Sequence, residues 1–224
     1  VLCEKALTVN SAQAEELVKM AREKNLFFME AAWSKCHPVF LKIKEWINSG
    51  LLGEIQSVEA RFYTLAGEGH RLYKKELAGG ALLDLGVYPI MYACAFMGHE
   101  PKRIISHMAM GEKNVDYLDS VILEYEGGKY AHLSCGLGCE RSISAYVLGT
   151  KGRILIQDEF FFQATKVTAY DFDNHVLATF EGPFLKNGYE FEAMEAMLCI
   201  RAGKKVLLMV PLDATLAIML IVYT

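Results

Sequence analysis

From residue 103 to residue 180 the chain alternates apolar and polar positions with a period of two. The alternation predicts strands over 104–110, 119–125, 130–137, 142–148, 152–156, 166–170 and 175–180. Glu126-Gly127-Gly128-Lys129 and Gly149-Thr150-Lys151-Gly152 read as turns between them. Links this short require antiparallel or mixed pairing, because a parallel crossover takes a dozen residues or more. Upstream the period lengthens. Ala14, Leu17, Val18 and Ala21 form a helical stripe behind a cap at Asn10 or Ser11, and the apolar run 26–29 suits a buried parallel strand. Pro38 opens a second helix that passes through Phe40, Ile43, Trp46 and Ile47 to a stop at Asn48-Ser49-Gly50.

Residues 55–65 read as a long strand with Val58, Ala60 and Phe62 on one face and Glu59 and Arg61 on the other. Gly79 and Gly80 feed an apolar helix reaching Gly98, and Pro89 predicts a kink or boundary near Val87 or Tyr88. Two helices close the chain, one through Phe191, Met194 and Leu198 to Gly203, one through Leu212, Thr215, Leu216 and Leu220. The order predicts an α+β fold: a large open mixed, mostly antiparallel sheet with helices on one face, preceded by the last part of an α/β Rossmann-like domain.

Composition adds three constraints. A formal net charge of -4 argues against a nucleic-acid partner, which needs a concentrated basic face. The apolar stretches 81–98 and 206–223 are interrupted by Asp84 and Pro89, and by Pro211 and Asp213, so they read as buried helices and no membrane partner is expected. The six cysteines, at 3, 36, 94, 135, 139 and 199, are scattered through apolar runs, as buried free thiols of a soluble cytoplasmic protein would be. Neither they nor His99, His107 and His175 show metal-ligand spacing, so no metal is expected. Val1 opens what reads as a strand end, and an amino-terminal segment is expected before it.

The candidate chemistry begins with Asp84 and Tyr88. Their i,i+4 spacing puts both polar ends on one side of a helix that is otherwise apolar, where an ionised carboxylate needs a partner. The same spacing fits a bracing carboxylate beside a packed ring. A tyrosine works as an acid or base near neutrality only beside a cation, and Lys5, just past the apolar run Val1-Leu2-Cys3, is the candidate; alone it also fits a solvated loop lysine. Gly67-Glu68-Gly69-His70-Arg71 is a polar loop rich in ligand chemistry, and His37 and His132 are further isolated imidazoles.

Taken together, Val1-Leu2-Cys3-Glu4-Lys5, the helix after Asn10, Glu30-Ala31-Ala32-Trp33, Gly50-Leu51-Leu52-Gly53-Glu54-Ile55 and Gly79-Gly80-Ala81-Leu82-Leu83-Asp84-Leu85-Gly86-Val87-Tyr88 resemble the glucose-fructose oxidoreductase and inositol dehydrogenase (Gfo/Idh/MocA) family. The likeness covers essentially the whole chain and is closest to the dimeric dihydrodiol dehydrogenase and D-xylose dehydrogenase branch. It implies a remnant of a dinucleotide-binding domain over residues 1–34 and a substrate-binding and oligomerisation domain over 35–224. It also implies hydride transfer between NADP or NAD and the CH–OH group of a sugar or trans-dihydrodiol. Catalysis would fall to Lys5, Asp84 and Tyr88, the cofactor to Glu4, Lys5 and Trp33, and the substrate to His70, Arg71, Asp84 and Tyr88. A homodimer through the sheet face is the implied assembly.

Two departures bear on that expectation. Ala6 stands where members usually carry proline after Glu-Lys, and no G-x-G-x-x-G occurs in the sequence. Residues 1–224 by themselves are therefore expected to hold a dinucleotide weakly and to act as part of a longer parent enzyme. The alternative is a non-catalytic ligand-binding or oligomerisation protein that retains the substrate domain.

Overall fold

A computed structural model describes residues 1–67, 69–156 and 161–224; Glu68 of the polar loop lies outside the described residues. The chain begins with an α/β unit: strand β1 (Leu2–Glu4), helix α1 (Ser11–Glu23) and strand β2 (Met29–Ala31), with β1 and β2 parallel. Asn10 caps α1 by accepting the Gln13 N–H at 2.9 Å, one of the two caps anticipated. Leu17 belongs to the predicted stripe but is surface-exposed, and only Ala14, Val18 and Ala21 of that stripe are buried. The second strand starts three residues later than the apolar run suggests. Leu26 is exposed, and pairing with β1 begins where Met29 meets Leu2.

Helix α2 (Pro38–Asn48) follows a 3-10 turn at Trp33–Cys36 and leads to β3 (Ile55–Leu65), whose bounds match the sequence reading. Strands β4 (Arg103–Met110), β5 (Asp116–Glu124), β6 (Tyr130–Gly136), β7 (Gly138–Gly149), β8 (Arg153–Ile156), β9 (Lys166–Tyr170) and β10 (Val176–Glu181) complete an eight-stranded sheet. Its order is β10-β9-β8-β7-β3-β6-β5-β4, and β3–β6 is its one parallel pairing. The alternation seen in the sequence is the alternation of faces. Val58, Ala60, Ala131, Leu133, Ala145 and Val147 are buried under the helices, whereas Glu59, Arg61, His132, Ser134 and Tyr146 point the other way.

The core lies between the sheet and helix α3 (Val87–Met97). Leu82–Gly86 forms a π-helical turn that runs directly into α3. Pro89 has no N–H to donate, and the regular helix begins just before it, at the boundary the sequence predicts. The π turn widens the backbone at the segment that carries Asp84, a feature common at functional sites. Gly80 feeds it with φ +128, and a Cβ there would land 2.0 Å from Asp116 Oδ1; Asp116 Oδ2 in turn accepts the Leu82 N–H at 2.5 Å. A side chain at position 80 would displace the carboxylate that caps the turn.

Helices α4 (Tyr189–Arg201) and α5 (Leu212–Tyr223) end the chain. Helix α4 packs on the Trp33–Cys36 turn, and α5 packs on α1, β2 and α3, so α5 touches both the α/β unit and the core helix under the sheet. The segment Lys75–Met97 is long and apolar enough to cross a membrane, but it is the core element under the sheet and most of its most apolar stretch is buried.

Candidate functional site

Parallel strands β1 and β2 release their following loops at the same edge, and that edge faces the start of α3. The loop after β1 delivers Lys5, whose ammonium donates to the Asp84 carbonyl at 2.9 Å and to Asp84 Oδ1 at 3.1 Å, across 79 residues of sequence. The same ammonium lies 4.8 Å from the Tyr88 ring centroid. Arg71 donates from the 3-10 turn Arg71–Tyr73 to Asp84 Oδ1 at 2.8 Å. Asp84 is thus held between two cations. Burial alone would raise its carboxyl, but Lys5 and Arg71 outweigh that and keep it below the usual carboxylate range.

Tyr88 is buried, with Phe162 stacked on it at a centroid distance of 4.5 Å and Phe62 at 5.8 Å. Its hydroxyl accepts the Trp33 indole N–H at 2.9 Å. Burial holds this phenol well above the ordinary tyrosine range; Trp33 opposes the shift, while Tyr189, Asp84 and Glu4 add to it. In this arrangement Tyr88 carries its proton at neutral pH. Trp33 stacks in turn on Tyr189 of α4, 4.2 Å away and nearly parallel at 11°. An aromatic wall therefore runs from α3 through the Trp33 turn to α4.

A cavity of about 220 Å³ opens beside this cluster, lined by Lys5, Ala6, Thr8, Val9, Arg71 and Asp84 among others. Cavities of about 270 and 460 Å³ lie beside Asp119 and beside Tyr73, and neither is lined by Lys5, Asp84 or Tyr88. Lys5, Arg71 and Asp84 single out the smaller one; Tyr88, buried behind them, is not among its lining residues. With Ala6 in place of the usual proline, the Lys5 ammonium reaches Asp84.

The remaining predicted residues divide. Glu4 is exposed at the mouth of the cluster, close enough to Tyr88, Tyr189 and Glu192 to disfavour their ionised forms. Trp33, expected at the cofactor, is buried and spends its N–H on Tyr88. His70 is not among the residues lining the cavity; its Nδ1 accepts the Leu72 N–H and caps the turn that presents Arg71. His37 is buried between Trp33, Phe184 and Phe191, and burial pushes it down to about 4, so it is neutral packing at neutral pH. His132 is exposed on the outer sheet face.

Three features escape the sequence. Tyr189 shows no signal beyond a helix start. Glu192 is 5% exposed with Oε2 unpartnered, and burial together with Glu4 pushes it up to about 7. Asp171, Asp173 and His175 bring three possible metal-ligand atoms within 4.8 Å of one another, but Asp171 Oδ1 already takes the Asp173 and His175 N–H groups and Oδ2 lies 3.1 Å from His175 Nδ1. This exposed turn is closed on itself. All six cysteines are free, and burial pushes the Cys36 and Cys94 thiols up to about 12, which makes them inert.

The mixed, mostly antiparallel sheet with helices on one face has the architecture of the C-terminal substrate-binding part of a Gfo/Idh/MocA fold. Residues 40–155 match the GFO/IDH/MocA C-terminal domain, and the chain belongs to the Gfo/Idh/MocA family. It is 36% identical over 214 residues to the trans-1,2-dihydrobenzene-1,2-diol dehydrogenase of Xenopus laevis, covering 92% of this chain and 63% of that protein. The Bos taurus enzyme of the same name is 32% identical over 217 residues, covering 95% of this chain and 65% of that protein. Among solved structures, KijD10, a 3-ketoreductase from Actinomadura kijaniata in complex with NADP and TDP-benzene, superposes with a TM-score of 0.85 at 27% identity, over 99% of this chain and 68% of that one. An aldose-aldose oxidoreductase from Caulobacter crescentus shares the fold, with a TM-score of 0.85 at 21% identity, over 100% of this chain and 68% of that one. The chain thus spans slightly under two-thirds of the curated relatives' length.

Proposed function

We propose that this chain is the substrate-binding portion, with one wall of the catalytic cleft, of an NADP- or NAD-dependent oxidoreductase acting on the CH–OH group of a sugar or trans-dihydrodiol. On this reading residues 1–34 are the end of a Rossmann-like dinucleotide domain and residues 35–224 are the substrate and oligomerisation domain. The observation that carries the reading is the Lys5 ammonium, bonded to Asp84 and poised 4.8 Å from the Tyr88 ring. It is supported by the names of the relatives and by KijD10, which is described with NADP.

The residues present fit one end of a nicotinamide dinucleotide. The edge of the parallel pair β1–β2 carries Glu4 and Lys5, with Trp33 beyond β2, and these would border the nicotinamide. No glycine-rich strand-to-helix turn occurs among the described residues, and the Asn10 side chain is already spent on Gln13. The diphosphate end therefore finds no holder among the described residues. When bound, the nicotinamide supplies the hydride chemistry. The protein's own part is to move one proton and fix one oxygen. Tyr88 takes the hydroxyl proton in oxidation and returns it in reduction; Lys5 polarises the reacting oxygen; Asp84, itself held by Arg71, fixes Lys5 at the rim of the cavity. His70 acts by presenting Arg71.

Purified complete protein given NADP or NAD with a trans-dihydrodiol or D-xylose should form reduced nicotinamide. The lack of a diphosphate holder favours a second reading, a ligand-binding protein without turnover. Saturable sugar or diol binding with no reduction of either cofactor would establish that reading in place of the first.

The proposed assembly is a cytoplasmic homodimer. The sheet face away from the helices carries half-buried Ile122, Tyr146 and Leu148 and exposed Leu118 and Tyr130 among polar groups, and an eight-stranded face of this mixture suits self-pairing. Light scattering should return a dimer, and Tyr146→Arg should shift it toward monomer. A monomeric parent protein would rule the sheet-face dimer out.

A further inference from the structure

Lys5 sits on a loop with little regular structure. Strand β1 is only three residues long, and residues 5–10 have no strand or helix assignment. One buried group fastens that loop from beneath. The Leu7 N–H donates to Glu30 Oε1 at 3.0 Å, and Glu30 Oε2 accepts the Thr215 hydroxyl at 2.8 Å. Glu30 itself is 2% exposed and Thr215 1%. A single carboxylate on β2 therefore ties the loop after β1 to helix α5, using one oxygen for each.

Packing does not call for this residue. A carboxylate taken out of water is costly, and an apolar side chain of similar size often serves a core as well or better. Burial raises the Glu30 carboxyl despite the two hydrogen bonds and the nearby charges of Lys35 and Lys5. The Leu7 side chain is already secured, wholly buried with Val18, Ala21, Phe28 and Leu212. What the carboxylate adds is direction. It fixes a backbone N–H two residues from Lys5, on the one loop that must aim an ammonium at Asp84.

We infer that Glu30 is a positioning residue for Lys5, a bridge through which β2 and α5 set the orientation of the loop after β1. The inference rests on the reading of Lys5 as the residue that polarises the reacting oxygen. Thr215 is the far end of the same bridge.

The test uses the complete protein as Glu30→Met, Glu30→Gln and Thr215→Val. Two readouts are taken: turnover, and NMR of isotope-labelled lysine ammonium groups, with the Lys5 signal identified by its loss in Lys5→Arg. Glu30→Met should lower kcat about 10²-fold with a smaller change in KM, the cost of misplacing a reacting group by about an ångström. Its Lys5 signal should move toward that of a free lysine. Glu30→Gln keeps an oxygen for the Leu7 N–H and should recover most of both, which a purely electrostatic role for Glu30 would not allow. Thr215→Val should shift both in the same direction as Glu30→Met but less, and it decides the matter if Glu30→Met does not fold. A folded Glu30→Met, or Thr215→Val in its place, with the parent's Lys5 signal and kcat would overturn the inference. Were the parent protein itself to show no turnover, the functional reading would fall, and the Lys5 signal would still decide whether Glu30 positions that side chain.

Discussion

Tyr88→Phe in the complete protein is expected to lower kcat about 10²- to 10⁴-fold, the range attributed to a positioned acid or base, while leaving the fold intact. The substitution keeps the ring and therefore its packing on Phe62 and Phe162. It removes only the acceptor of the Trp33 indole N–H, and an unpaired buried donor costs about 1–3 kcal/mol against a domain stability of about 5–15 kcal/mol. Thermal unfolding should therefore shift modestly while steady-state turnover collapses. The direction of the phenol's shift adds a pH signature. Burial makes Tyr88 hold its proton; on the proposed function it is then ready as an acid in reduction, and oxidation requires the deprotonated form. Oxidation should accelerate as pH rises through the neutral and alkaline range, and the residual rate of Tyr88→Phe should lack that limb. Unchanged kcat in Tyr88→Phe would remove this hydroxyl from the chemistry.

Much of this arrangement is legible in the sequence because it follows from periods and special residues. The sheet strands declare themselves by alternation; β3 and β9 are found to the residue, and Pro89 marks the start of α3. The sites that local signals miss depend on long-range contact. Nothing in residues 26–31 says that pairing waits for Met29, since that register is set by β1. Asp84 and Tyr88 are visible as polar positions in an apolar helix, but the helix between Leu82 and Gly86 is a π turn whose cap, Asp116, lies on another strand. His70 looks like ligand chemistry, and its imidazole is used to cap a turn. Glu30 and Glu192 are invisible as buried groups because charge is normally a surface signal. For Glu30 the tertiary structure supplies partners, the Leu7 N–H and the Thr215 hydroxyl, that spacing along the chain does not reveal.

Asp84→Asn should be the second large loss, and it separates charge from shape. The amide keeps an oxygen facing Lys5 and Arg71 but removes the negative charge between them, at a position where Asp84 is 17% and Lys5 12% exposed in the side chain. Two cations would then face one neutral acceptor. Lys5 is free to leave the Tyr88 ring, and turnover should fall about 10²-fold through misplacement. Stability should change with a definite sign. The carboxyl of Asp84 is held below its ordinary value, so the native state binds fewer protons than the unfolded chain as the pH falls through the usual aspartate range. Its contribution is complete above the unfolded pKa and is lost as the pH drops through the lowered folded value. The parent protein should consequently lose stability on acidification more steeply than Asp84→Asn, and the gap between their denaturation midpoints should be widest near neutrality and close in acid. A constant gap from neutral pH to strongly acidic pH would mean that Asp84 acts by shape alone. The Lys5–Asp84–Arg71 pairing would then be packing rather than the electrostatic hold that sets the Lys5 ammonium.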